Sequence, residues 1–206
     1  MISTYQFKSQ FQSLLRPLAL RLYRAGITAN QVTLGACLVS VVLGAAATAY
    51  PDRNYLFLLI ALWCLLRMAA NALDGMLARE FGQASRAGAV LNEAGDIISD
   101  IALYLPFALI AGSQPWLVVA VVLLALCSEC VGLLGTAMGN ERGNHGPMGK
   151  SDRALAFGVI ALLIGCGVSM APFINTLWLA MAALLLLTIF NRGRHVFAMR
   201  NAGNTH

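Results

Sequence analysis

Residues 71–96 read NALDGMLAREFGQASRAGAVLNEAGD, a stretch dense in Asn, Asp, Glu and Arg inside a chain that otherwise avoids charge. Of the 206 residues, 59% are hydrophobic and 11% charged, whereas a soluble domain carries about a quarter charged residues. That deficit excludes an ordinary soluble enzyme and sets the chain in the membrane class. The formal net charge of +5 and a pI near 9.2 would suit a nucleic-acid binder, but such a protein is not this apolar. Membrane orientation accounts for the basic excess better, and no nucleic-acid partner is expected.

Outward from residues 71–96, apolar stretches suggest six membrane spans, at about 30–49, 55–79, 88–112, 115–138, 154–170 and 173–190, each near the roughly 20 residues that a bilayer requires. Pro51, Pro115 and Pro172 mark three tight turns with almost no basic charge. The opposite ends are basic: Lys8, Arg16, Arg21 and Arg24, then Arg79 and Arg86, then Arg142, Lys150 and Arg153, then Arg192, Arg194 and Arg200. The positive-inside rule puts that side, with both termini, in the cytoplasm. The expected fold is an all-α integral membrane domain over 1–206, located in a bacterial inner membrane. Its parts are an amphipathic surface helix at 1–25, a six-helix bundle at 30–190 and a cytoplasmic tail at 191–206. Phe7, Phe11, Leu14, Leu18 and Leu22 supply the apolar stripe of the surface helix, lying on lipid or packed on protein. No cleavable signal peptide is visible, since the first 25 residues lack an apolar core. The five cysteines lie in apolar stretches and read as small apolar residues, the Cys127–Cys130 pair included. His145, His195 and His206 offer no zinc spacing.

Ionisable residues within a bilayer are costly and usually functional. At about 100° per residue, Arg67, Asn71, Asp74 and Ala78 share one face of the second span, and Asn92, Glu93, Asp96 and Asp100 share one face of the third. Folding this hairpin about residue 83 makes paired residue numbers sum to about 167. Asp74 then stands level with Asn92 and Glu93, Asn71 with Asp96, and Arg67 with Asp100. Converging carboxylate and amide oxygens are hard ligands, suited to Mg²⁺, Mn²⁺ or Ca²⁺. Such a site beside basic residues suits a phosphate-bearing substrate. Gly75, Ala78 and Gly88 are small enough to admit either a ligand or a neighbouring helix.

These residues resemble the signature of the CDP-alcohol phosphatidyltransferase family, D-x2-D-G-x2-A-R-x8-G-x3-D-x3-D. Asp74, Gly75, Ala78, Arg79, Gly88 and Asp96 match it with the spacing intact. Residues 26–34 (GITANQVTL) and 149–153 (GKSDR) are similar to the family as well. The resemblance implies transfer of a phosphatidyl group from a CDP-linked lipid donor, usually CDP-diacylglycerol, to the hydroxyl of a small alcohol, with release of CMP in phospholipid biosynthesis. It implies a Mg²⁺ or Mn²⁺ cofactor, Asp74 as metal ligand, Asp96 as ligand and catalytic base, and Gly75, Ala78, Arg79 and Gly88 near the donor. Lys150 and Arg153, at the cytoplasmic mouth, are candidates for binding an acceptor phosphate.

The chain departs from the signature at its first and third aspartates, which are Asn71 and Asn92 here. Asparagine keeps an oxygen ligand but loses the charge. Glu93, level with Asp74, is the natural replacement ligand, and Asp100 is expected to be the structural counter-charge of Arg67. Whether one metal or two bind, which alcohol accepts and whether the chain forms a homodimer stay open. Glu129, inside the fourth span, either faces the cleft or bonds a neighbouring helix. Two other readings compete with an active transferase. A catalytically dead relative would bind a nucleotide-lipid or act as a membrane interaction protein. A transporter would need charges along a through-path and a Gly/Pro-broken helix pair, whereas the polar residues here cluster toward one face.

Overall fold

The structure, a computed structural model, describes the backbone over residues 4–137 and 146–203 and the side chains over 10–137 and 146–196. Arg142, His145 and His206, and the side chains of Phe7, Lys8 and Arg200, lie outside the described residues. Among the described residues, seven α-helices follow in order: α1 Thr4–Arg24, α2 Ala29–Ala49, α3 Asn54–Glu80, α4 Arg86–Tyr104, α5 Pro115–Ala137, α6 Lys150–Gly165 and α7 Ile174–Gly203. A short 3₁₀ segment, Leu105–Leu109, continues α4. There is no strand among the described residues.

Among the described residues, four helices are long and apolar enough to cross a membrane: α2, α3, α5 and the Ile174–Val196 part of α7. The six-span expectation is thus met in part. The third expected span, 88–112, resolves into α4, which carries Glu93, Asp96 and Asp100, and its 3₁₀ continuation around Pro106. The fifth, 154–170, starts earlier and stops sooner, as a helix of only 16 residues. The expected tail at 191–206 is helical as far as Gly203, because α7 continues past residue 190.

The outward faces are apolar: Leu38, Leu62, Leu65, Leu134, Leu186 and Phe190 are all exposed. A water-soluble monomer does not display apolar surface on that scale, and the inside-out pattern fits a multi-pass membrane protein. Between helices, small residues permit close approach. Gly44 of α2 is the tightest case, since a Cβ there would lie 2.0 Å from the Ala102 carbonyl oxygen of α4. An aromatic cluster fills the centre of the bundle. Tyr104 stacks on Phe157 at 3.8 Å between ring centroids, and Phe107, carried inward by the 3₁₀ segment, meets Phe57, Phe157 and Trp178 edge-on or nearly so.

Helix α1 packs across α3. Its protein-facing stripe is Leu15, Ala19 and Leu22, set against Leu73, Met76 and Phe81, while Leu14 and Leu18 stay exposed. The expected apolar stripe therefore divides, with Leu22 turned to protein and Leu14 and Leu18 turned away from it.

Candidate active site

Three helix ends are tied together beside the α3–α4 turn. Thr28 and Gln31 form a reciprocal cap at the start of α2. Gln83, in the turn, accepts the Ala29 N–H at 2.7 Å, so the turn is fastened to α2. Gly82 supplies the left-handed backbone (φ +69°) that reverses the chain, and Ser85 caps α4 by accepting the Gly88 N–H at 2.9 Å. These ends enclose a polar cavity of about 360 Å³, lined by α2, α3, α4 and the first residue of α6.

The hairpin register matches the sequence reading layer by layer. In the upper layer the Asn92 amide donates to Asp74 Oδ2 at 3.0 Å, and the Thr33 hydroxyl donates to the same oxygen at 2.8 Å. In the next layer Asn71 donates to Asp96 Oδ1 at 3.1 Å. Arg67 donates to that oxygen at 3.1 Å and to the Asp96 carbonyl at 3.0 Å, and Lys150 caps Asp96 Oδ2. In the deepest layer Arg67 pairs with Asp100 at 2.5 Å.

The cavity is lined by Asn71, Asp74, Asn92, Glu93, Asp96 and Lys150, and also by Gly75, Ala78, Arg79 and Gly88. The Arg79 guanidinium lies over Gly75, where a Cβ would come within 2.7 Å of Nη2. A Cβ on Gly88 would meet the Asn30 side chain at 2.8 Å. Asn30 and Thr33 of α2, and Gln83, also line the cavity and were not singled out from the sequence. A signal existed, because Thr33 is a polar residue inside an apolar span and follows a T-x-x-Q cap.

Arg153 does not stand at the mouth. It is wholly buried, donating to Glu129 at 2.9 Å and to Asp100 at 3.3 Å. The cause is local. Asp152 accepts the Gly149 N–H at 2.9 Å and fixes the start of α6, and one turn later position 153 points into the bundle. Arg192 of α7 donates to the Ser128 carbonyl at 2.6 Å and to Glu129 at 3.5 Å. Glu129 thus bonds neighbouring helices rather than the cavity. Asp100 has two arginine partners, not one. The void beside Asp100, Glu129 and Arg153 measures only about 10 Å³, too small for any substrate.

The donor set of the cavity consists of hard oxygens. Among the described residues no three His, Cys, Asp or Glu side chains form a metal-holding group by themselves, so a cation here draws on amide oxygens as well as carboxylates. A half-turn of each amide exchanges its NH₂ for its oxygen. With that exchange, the Asp74 and Glu93 carboxylates and the Asn71 and Asn92 amides, beside Asp96, offer the hard oxygens that a divalent ion takes. Lys150, the first residue of α6, reaches Asp96 across the cavity.

The polar cavity does not end at the α3–α4 hairpin. Asn71 and Lys150 also line a neighbouring cavity of about 220 Å³. That cavity shares Cys64, Met68 and Ala154 with an apolar groove of about 250 Å³ between α3 and α6.

The sequence profile of CDP-alcohol phosphatidyltransferases matches residues 26–192. The chain is 45% identical over 198 residues to the inner membrane protein YnbA of Escherichia coli (strain K12), covering 96% of this chain and 98% of that one. It is 28% identical over 189 residues to the phosphatidylinositol phosphate synthase of Mycolicibacterium smegmatis, covering 88% and 80%. Crystal structures of the Mycobacterium tuberculosis phosphatidylinositol phosphate synthase share the fold. The complex with manganese and citrate superimposes with a TM-score of 0.72 at 23% identity, over 88% of each chain. The complex with CDP-DAG gives 0.74 at 22%, over 88% of this chain and 92% of that one. Signature, hairpin register and sequence profile agree, and the chain belongs to the CDP-alcohol phosphatidyltransferase family.

Proposed function

We propose that this chain transfers the phosphatidyl group of CDP-diacylglycerol to a hydroxyl of a small, phosphate-bearing polyol. One observation carries the reading. The facing polar layers of α3 and α4 line a cavity that shares residues, step by step, with an apolar groove between α3 and α6. A donor with a charged nucleotide end and two acyl chains matches such a path. The polyol is favoured because several relatives, including that of M. smegmatis, are phosphatidylinositol phosphate synthases.

In the reaction the acceptor hydroxyl attacks the phosphorus that carries diacylglycerol. The bond from that phosphorus to the CMP oxygen breaks, and CMP leaves with the electron pair. Gly75, Ala78 and Gly88 leave room for the nucleotide, and Arg79 pairs with donor phosphate. A single Mg²⁺ or Mn²⁺, held by Asp74 and Glu93 with the amide oxygens of Asn71 and Asn92 beside Asp96, would offset pyrophosphate charge when bound. The manganese in the M. tuberculosis structure supports this cofactor. Asp96 takes the acceptor proton. Clamped by Arg67, Asn71 and Lys150 it is a weak base, and much of its effect is to orient the hydroxyl. Lys150 meets the acceptor phosphate, while Arg153 holds Asp100 and the start of α6 in place.

The bundle crosses the inner membrane six times, α4 with its 3₁₀ continuation and α6 completing the four apolar helices. Both termini are cytoplasmic and α1 lies on the membrane surface. The arginine and lysine distribution supports that orientation, and the E. coli relative supports the membrane.

A second reading has its own support. Two of the three cavity carboxylates are already satisfied by an amide, Asp74 by Asn92 and Asp96 by Asn71, as in a catalytically silent relative that only binds the nucleotide-lipid. CMP release separates the two. Purified protein in lipid nanodiscs, given CDP-diacylglycerol, Mg²⁺ and a panel of polyols with and without phosphate, should release CMP and form a new lipid visible by mass spectrometry. The yield should be highest with a phosphorylated polyol and should vanish on chelation. Nucleotide-lipid binding without CMP release for any acceptor would establish the silent reading instead.

A further inference from the structure

Four carboxylates at positions 71, 74, 92 and 96 would carry enough negative charge to call for two divalent ions, the arrangement of two-metal phosphoryl-transfer sites. This chain has two carboxylates at those positions, and they do not share the cavity equally. Asp74 accepts from the Thr33 hydroxyl and the Asn92 amide and makes no ion pair among the described residues, and Glu93 lines the same cavity. Asp96 is met by two cations, Arg67 on Oδ1 and Lys150 on Oδ2. Arg67 is committed deeper as well, through Asp100. Lys150 is not. It is half-buried, lines both the polar cavity and the neighbouring one toward the α3–α6 groove, and has three donors to distribute.

We infer that the Lys150 ammonium occupies the second cation position of this site, on Asp96, and that the chain accordingly binds a single divalent ion, on the Asp74–Asn92–Glu93 side. This rests on the metal reading above and deepens it. A lysine can serve there because it is a compact charge that can touch a carboxylate and a substrate phosphate at once. It cannot provide a divalent charge, and Asn71 removes the need for one by taking away a carboxylate. Thus Asn71 and Lys150, which lie far apart in sequence, compensate each other.

Two measurements test the assignment. The first counts Mn²⁺ bound per chain by electron paramagnetic resonance in full-length protein, where two close ions would show spin coupling. Wild type and Asn71→Asp should each bind one Mn²⁺. Asn71→Asp combined with Lys150→Met should bind two, as a coupled pair. Two ions in wild type, or one in the combined variant, would overturn the inference. The second measurement needs no variant, because the chain has only two lysines, Lys8 and Lys150. Amine acylation followed by mass spectrometry, with Lys8 as internal reference, should label Lys150 at the same slow rate with and without saturating Mn²⁺. Acceleration of tenfold or more on adding Mn²⁺ would mean that ion and ammonium compete for one position, and the inference would be wrong. No Mn²⁺ bound to wild type at all would bring down the metal reading itself, an outcome distinct from either of these.

Discussion

Asp96 and Asp100 stand one turn apart on α4, yet they belong to different parts of the molecule. Asp96 borders the polar cavity and has an amide, an arginine and a lysine around it. Asp100 lies between Arg67 and Arg153 with almost no void beside it. The same division separates Asp74, which accepts from a hydroxyl and an amide and opens on the cavity, from Glu129, which takes Arg153 and Arg192. All four are acidic residues in an apolar chain, and acidity alone does not sort them. The number of guanidinium partners and the space at the carboxylate do. Asp100 and Glu129, each between two arginines, tie helices α3 to α7 together, while Asp74 and Asp96 border the cavity.

The largest expected effect is a crossed pair of variants. Asp74→Asn should lower CMP release by about 10³-fold, since a charge at a phosphoryl-transfer site contributes several kcal/mol, and should leave thermal stability in detergent almost unchanged. Glu129→Leu should do the reverse. Breaking a buried ion pair costs about 3–5 kcal/mol, so the melting midpoint should fall sharply while the folded fraction keeps its turnover. Equal losses of stability and activity in both variants would erase the distinction between the two regions.

Arg67 belongs to both regions and sharpens the boundary. Arg67→Met should reduce stability and turnover together. Adding Asp100→Leu removes the stranded deep charge, and Arg153 retains Glu129, so much of the stability should return. Turnover should stay about tenfold low, because Asp96 has still lost a hydrogen bond to a charged donor worth about 1.5–3 kcal/mol. Recovery of stability and turnover together, followed by melting and CMP release, would show that Arg67 serves only the deep region.

The smallest effect belongs to Thr33, on the cavity side. Thr33→Val removes one hydrogen bond to Asp74, worth about 1 kcal/mol. The expected result is a roughly fivefold lower kcat/KM for the donor with an unchanged melting midpoint. A lower midpoint with full activity would assign that hydroxyl to helix packing instead.

The hairpin layers were legible in the sequence because both of their determinants are local. A helix advances by a fixed angle, and a short turn fixes which residues of two antiparallel helices stand level. Asp74 with Asn92, Asn71 with Asp96 and Arg67 with Asp100 follow from those two facts. The membrane class followed from composition, since the cost of burying charge in lipid leaves its mark on the apolar helices α2, α3, α5 and α7. Helix ends were less legible. Residues 88–112 read as one span because apolar content does not distinguish a continuous helix from one ending in a 3₁₀ segment.

What the sequence by itself determined is therefore the family signature and the register of its hairpin. Only the tertiary structure decided which charges meet across distant helices. Arg153 reads like Lys150, three residues away, until α6 is placed. One turn of helix then sends Arg153 to Glu129 and Asp100 and leaves Lys150 on Asp96. Thr33 and Asn30 enter the cavity for the same reason, because the Ala29–Gln83 bond brings the start of α2 against the turn. Such contacts depend on helix packing and on how each end is capped, and periodicity within one helix carries no information about either.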